Sequence, residues 1–306
     1  MSTVSEPDKR VLELEFVKDR VDHLPVMPSV IAQLKQLSHD SVDFYAKVAV
    51  LAQHYPPLAA RILNYAHSSP APLKPTYSCE HALERIGIFK TLELMKALEE
   101  IQFVEPARQG VEVCWRHSVE TARICQLLAE HTPGFGVNSD LAYICGLLHD
   151  IGRLVLLQIP VQDVEVLEAT GWDSPEELND LEEQVFGFNH ADVGYLAARQ
   201  WNLPHDVTQI LRYHHDYNFW QNERLSLYFR KLLILVQFAD ALSILVIKNP
   251  EWPAWSEVLL KGSISECCIQ KSWPDIAFPI ELLTKELPRI VDLSEKVTDA
   301  QALYSG

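Results

Sequence analysis

The chain has 306 residues, 48% of them apolar and 22% charged, which suits one or two ordinary globular cores. Its formal net charge of −16, with no long basic run, argues against a nucleic-acid partner, because a phosphate backbone needs clustered Lys and Arg. The polar first ten residues lack a signal-peptide core, and the most apolar stretch, Leu232 to Ile247, carries Gln237 and Asp240 and is short for a membrane span. No membrane partner is expected, and the chain reads as cytoplasmic.

Helical periodicity dominates and strand alternation is nearly absent, so the expected fold class is all-α. Residues 1–20 form a charged N-terminal extension. From Pro28 onward, Val30, Ile31, Leu34 and Leu37 recur at helical spacing behind a Ser29 cap. Phe44, Val48 and Leu51 mark a second helix, which Pro56-Pro57 stops. Leu58, Ile62 and Tyr65 begin a third. Three prolines between Pro70 and Pro75 make that segment a loop. Helices resume over Glu80–Ile86 and Leu92–Phe103, and Glu105 to Gly110 reads as a boundary. It separates an N-terminal helical half, 21–108, from a second half, 109–247.

The second half opens with a helix from Glu112 to Glu130, breaks at Pro133-Gly134-Phe135-Gly136, and restarts behind an Asn138-Ser139 cap. A helix from Leu154 to Ile159 ends at Pro160. The polar stretch Gly171 to Asp180 is expected to loop before a helix that Asn189 caps. Another helix starts at Leu203-Pro204-His205-Asp206, and its last turn carries His214-His215. Residues 248–306, with Trp252, Trp255 and Trp273, form a C-terminal extension that matches no motif. The six cysteines have no metal-finger spacing, and four lie in apolar helical stretches, as buried free thiols do in a reducing compartment.

Seven residues stand out as metal ligands: His117, His149, Asp150, His190, His214, His215 and Asp240. Imidazole nitrogens and carboxylate oxygens suit Fe, Mn, Zn, Ni or Mg, and an Asp can bridge two ions. A charged Asp240 inside an apolar helix is costly unless paired or metal-bound. Consecutive helical residues point about 100° apart, so His214 and His215 are expected to divide between two ions, or between an ion and solvent. The remaining histidines, His23, His39, His54, His67, His81, His131 and His205, read as packed or hydrogen-bonded residues. A metal-free alternative for the seven is a polar network in which Asp150 and Asp240 hydrogen-bond the imidazoles.

The constellation of a His, a His-Asp pair and a later Asp resembles the HD superfamily of metal-dependent phosphohydrolases. Its two further His positions are similar to those of the HD-GYP branch, which cleaves cyclic dinucleotides. Five segments resemble another branch, the HDOD (HD-related output) domain of bacterial signalling, over about Val21 to His215. They are Leu24–Val30, Pro56–Ser68, His81–Gly87, Gly146–Leu156 and Phe186–Gly194. The resemblance implies an N-terminal helical subdomain packed on an HD-like helical domain, and one or two divalent transition ions (Fe, Mn, Zn or Ni) on the seven residues. It also implies a regulatory role through a signalling protein partner. The enzymatic alternative is a phosphohydrolase for a nucleotide or cyclic dinucleotide. There Asp150 would bridge ions and Arg153 would meet a phosphate oxygen. HD-GYP enzymes usually carry Lys at the position of Arg153 and a Gly-Tyr-Pro loop after the His pair. This chain continues His215-Asp216-Tyr217-Asn218 instead. The departure weighs against cyclic-dinucleotide cleavage.

Overall fold

The computed structural model describes residue 24 and residues 28–68, 74–99, 108–158 and 175–298, and among these there are helices and no strands. The expectations for residues 1–20, for most of the proline loop and for the start of the 105–110 boundary lie outside the described residues.

The first half comprises α1 (Pro28–Gln36), α2 (Phe44–His54), α3 (Pro56–His67) and α4 (Cys79–Glu99). Two prolines open α3, where a backbone N–H has no helical partner to lose. The sequence suggested separate helices around Glu80–Ile86 and from Leu92. They are the two helical segments of α4, divided by a kink at Gly87 (φ +78°, ψ 170°), a positive-φ conformation that glycine adopts without strain. α4 packs on α3 and α2.

The second half is built on α5 (Arg108–His131), followed by α6 (Ser139–Leu148), α7 (Ile151–Leu156), α8 (Pro175–Phe186), α9 (His190–Gln200), α10 (His205–Tyr213) and α11 (Leu227–Lys248). Two expectations are corrected here. Arg108 to Gly110 are helical, so the proposed boundary ends no later than the start of α5. Pro175 to Asp180 belong to α8, because an apolar face at Leu178 and Phe186 outweighs their polar composition. Two of the expected caps hold: Asn138 Oδ1 accepts from Leu141 N at 2.8 Å, and Asn189 Oδ1 from Asp192 N at 3.0 Å. The expected Ser29 cap is corrected: α1 begins one residue earlier, at Pro28, whose missing N–H costs nothing in a first turn, so Ser29 lies inside the helix.

α5 is the central helix, with α6, α11 and α13 (Ile280–Thr298) packed around it. α12 (Glu257–Cys268) and α13 pack on each other, α12 also on α11. The C-terminal stretch beyond 247 therefore covers the same core as the helices before it. Two glycines set how closely the helices approach. A Cβ on Gly146 would fall 2.8 Å from Ala122 Cα, so α6 lies directly on α5. A Cβ on Gly152 would fall 2.0 Å from the His190 carbonyl oxygen, so α7 touches the start of α9.

The two halves meet where α2 and α3 contact α5 and α6. Tyr143 Oη donates to Gln53 O at 2.7 Å, and Arg123 Nη2 donates to His54 Nε2 at 3.0 Å. The Tyr55 and Trp115 rings, both buried, meet edge-on with centroids 5.8 Å apart.

Candidate metal centre

All seven residues singled out in the sequence come together. His117 arrives on α5, His190 on the first turn of α9, and Asp240 midway along α11. His149 and Asp150 fill the two-residue junction between α6 and α7. His214 and His215 follow the last residue of α10. His117, His149, Asp150, His190, His214 and Asp240 are each no more than 4% exposed, and His215 is half-buried.

Four rings are anchored through Nδ1, which turns Nε2 inward. His149 Nδ1 donates to Gly146 O at 2.8 Å, and His214 Nδ1 to Leu211 O at 3.0 Å. His190 Nδ1 pairs with Glu182 Oε2, and His117 Nδ1 lies 2.9 Å from Ser243 Oγ. The inward nitrogens crowd together: His117 and His149 Nε2 are 3.1 Å apart, His190 and His214 3.2 Å, His190 and His215 2.7 Å. Two nitrogens that each sit about 2.0–2.1 Å from one ion lie roughly 3 Å apart, so these separations suit shared coordination.

The donor atoms fall into two overlapping groups, His117–His149–Asp150 and Asp150–His190–His214–His215, each with its ligand atoms within 4.8 Å of one another. Asp150 belongs to both: its Oδ1 lies 3.2 Å from His190 Nε2, 3.4 Å from His214 Nε2 and 3.6 Å from His149 Nε2. Asp240 Oδ1 lies 3.3 Å from His117 Nε2 and 3.9 Å from His149 Nε2.

The expected division of His214 from His215 is not what the structure has. Both reach the same His190 nitrogen. α10 ends at Tyr213, and in the turn that follows His214 still has near-helical dihedrals (φ −64°, ψ −17°), yet the two rings sit with centroids 4.1 Å apart, so the side chains lean together despite the angle between their Cα–Cβ bonds. Gln237 fixes that turn by donating to His214 O at 2.9 Å and Asp216 O at 3.0 Å.

Electrostatics fit a cation. Among the described residues, Asp240 Oδ2 and His215 Nδ1 are buried without a hydrogen-bond partner, and Asp150 Oδ1 faces only imidazole nitrogens, 3.2–3.6 Å away. Buried carboxylate oxygens of this kind cost several kcal/mol unless a positive charge compensates them. Burial opposes ionisation of Asp150, but His149 and His190 hold its carboxyl well below the usual range. Burial pushes His149 down to about 4 although Asp150 and Asp240 pull it up, and burial with His214 and His190 beside it keeps His215 well below its ordinary value. Those two rings offer free lone pairs. For His190, burial is outweighed by Glu182 and Asp150, which raise it to about 10. For His117, burial is outweighed by the Asp240 hydrogen bond and the two carboxylate charges. A metal ion bound there takes the place of those protons.

The sequence reading missed Glu182, Ser243, Glu120 and Gln237 as supporting groups. Glu182 is 1% exposed and lies on the same face of α8 as Leu178 and Phe186, at four-residue spacing. An acidic residue in an apolar-face position was the available signal. Gln237, Asp240 and Ser243 recur every third residue of α11, a polar seam in an otherwise apolar helix. Arg153, considered for phosphate contact, points back at carboxylates, 3.7 Å from Asp150 Oδ2 and 3.9 Å from Glu182 Oε1.

Comparison with known proteins identifies the family and the fold. The family model of the HDOD domain matches residues 24–217. An uncharacterized protein of Treponema pallidum is 24% identical over 229 residues, covering 73% of this chain and 43% of that protein. Ribonuclease Y of Thermus thermophilus is 25% identical over 223 residues, covering 73% of this chain and 31% of that enzyme. The chain thus spans less than half the length of these curated relatives. Two solved structures share the fold. The MmoQ response regulator of Methylococcus capsulatus is 20% identical with a TM-score of 0.61, covering 89% of this chain and 99% of that one. A virulence factor of Campylobacter jejuni is 15% identical with a TM-score of 0.61, covering 92% and 96%.

Proposed function

The chain belongs to the HDOD domain family, and from that premise we propose a cytoplasmic signal-transduction output protein that acts through a protein partner. In this reading its HD-like centre holds one or two divalent transition ions. His117, His149, Asp150 and Asp240 would hold one ion, and Asp150, His190, His214 and His215 the other. Ions bound there would supply Lewis acidity and charge compensation. The chain's own groups do the rest: Glu182 and Ser243 orient His190 and His117, and Gln237 holds the His214 turn.

One observation carries the regulatory reading over an enzymatic one. The cation best placed to receive a phosphate, Arg153, is spent on Asp150 and Glu182, beside ligands that are almost wholly buried. The Gly-Tyr-Pro loop of cyclic-dinucleotide phosphodiesterases is also missing after His215. A partner helix or peptide at the junction of the two halves fits this role. Metal-dependent phosphohydrolysis is the second reading, favoured by the position of Asp150 in both donor groups. Elemental analysis of protein purified without added metal, paired with assays on cyclic dinucleotides and a generic phosphodiester, tests both. The expected result is stoichiometric metal without turnover. Multiple-turnover cleavage that is lost in Asp150→Ala would overturn the choice.

A further inference from the structure

A buried polar chain leads from His117 away from the centre and ends on the C-terminal helix. Ser243 Oγ stands 2.9 Å from His117 Nδ1 and donates to Glu120 Oε2 at 2.7 Å. A hydroxyl has one proton, and this one is committed to the carboxylate. Toward His117 the oxygen is therefore an acceptor, which places the ring proton on Nδ1 and leaves Nε2 for the centre. The other Glu120 oxygen, Oε1, accepts from Arg116 Nε at 2.8 Å and from Ser294 Oγ at 2.8 Å. Ser294 Oγ is equally close to Val291 O, but a carboxylate is the stronger acceptor. Arg116 continues to Glu295 Oε1 at 3.0 Å. His117, Ser243, Glu120 and Ser294 are all at most 3% exposed. Ser243 and Ser294 both lie beyond residue 217, outside the segment that the family model matches.

We propose that Ser243, Glu120 and Ser294 are positioning residues, a relay through which α13 holds His117 in its Nδ1–H form and so sets how tightly the His117 side of the centre binds a divalent transition ion. The proposal rests on the metal reading above. Hydrogen-bond partners behind a metal-binding imidazole fix its tautomer and raise the basicity of the coordinating nitrogen. A carboxylate behind the hydroxyl strengthens that pull, because a hydrogen-bond chain polarises its members. Coupling between two places is reciprocal, so an ion at His117 must also tighten α13.

The test uses the full chain, loaded with Zn(II) or Mn(II) by competition against a chelator. Ser243→Ala should weaken binding at the His117 side roughly 10–100-fold, the range for lost second-layer partners. Ser294→Ala should weaken it severalfold, and Ser294→Thr, which keeps the hydroxyl, should restore it. Metal addition should slow amide exchange in α13 of the wild type more than in Ser243→Ala. Nitrogen-15 NMR of His117 in metal-free protein, at a pH high enough for the ring to be neutral, should report Nδ1–H in the wild type and a mixture of tautomers in Ser243→Ala. Unchanged metal affinity in both alanine variants, or α13 exchange indifferent to metal, overturns the relay. A wild type that binds no metal under replete conditions overturns the metal reading instead, and the His117 tautomer then decides the relay by itself.

Discussion

Oxygen Oε2 of Glu182 receives both the backbone N–H and the ring Nδ1–H of His190. A single carboxylate thereby fixes the start of α9 and the rotation of the imidazole that α9 delivers to the centre. Anchoring the backbone and ring of one residue together leaves Nε2 little freedom to turn from Asp150.

Removing that carboxylate should loosen metal binding without dismantling the helix. Glu182→Ala is expected to lower affinity about 10–100-fold, and Glu182→Gln, which retains an acceptor oxygen, to lower it less. Chelator competition on the purified variants measures both. Wild-type affinity in Glu182→Ala would mean that the carboxylate does not orient a ligand.

Asp150 is common to both donor groups, whereas His215 belongs to one. Asp150→Ala should therefore strip the protein of all bound metal, while His215→Ala should lose at most one ion. Elemental analysis of the two variants, with circular dichroism to verify the helices, discriminates between them. Retention of full metal by Asp150→Ala would remove Asp150 from the bridging position.

The contact between α7 and α9 depends on the absence of a side chain at position 152. Gly152→Ala would drive a methyl to 2.0 Å from His190 O and 2.7 Å from Gly194 N, both backbone atoms. The helices would have to separate, at a cost of about 3 kcal/mol or more. Gly262, inside α12, has nothing within 4 Å of the added carbon, and Gly262→Ala should stabilise by about 0.4–1 kcal/mol. Urea unfolding of the two variants should move in opposite directions.

His54 sits at the seam between the halves, where burial, with the Arg123 charge beside it, pushes its pKa down to about 4 despite a carbonyl partner at Val50. The neutral ring donates from Nδ1 to Val50 O at 2.7 Å and accepts from Arg123 at Nε2. Its folded pKa lies below the unfolded value of about 6.5, so protons bind the unfolded chain more readily. This contribution is intact above pH 6.5 and is lost as the pH falls toward 4. His54→Gln should lose about 1–2 kcal/mol less than the wild type between pH 7 and pH 5, read from chemical unfolding at the two values. Equal losses would show that His54 does not titrate in this window.

The seven inward residues were legible in the sequence because each breaks its local pattern: a carboxylate within an apolar run at Asp240, or paired polar residues at a helix end in His149-Asp150. The helices before and after them were legible from period and caps. What escaped notice depended on partners far along the chain. Ser243 and Glu120 gain their meaning from a bond spanning 123 positions, and a lone serine in a helix carries no such message. Pro175 to Asp180 were misread because composition was weighed over the spacing of Leu178 and Phe186. The splitting of His214 and His215 was misjudged because backbone angle alone was weighed, whereas the two rings lean together to a centroid distance of 4.1 Å.

The centre draws on residues from His117 to Asp240, with His117 braced by Ser243 a further three positions on. A ribosome making this chain releases His117 and the His149-Asp150 pair long before their last companions. On the metal reading, the group of Asp150, His190, His214 and His215 is complete once α10 and the turn after it have emerged, but the His117 side waits for Asp240 on α11. Ion capture at the His117 side then follows synthesis of α11 and cannot guide the early folding of the second half. Fragments ending before Gln237 should hold at most one ion, and the full chain should gain the ion on the His117 side; equal loading of the two would show that the His117 side needs nothing from α11.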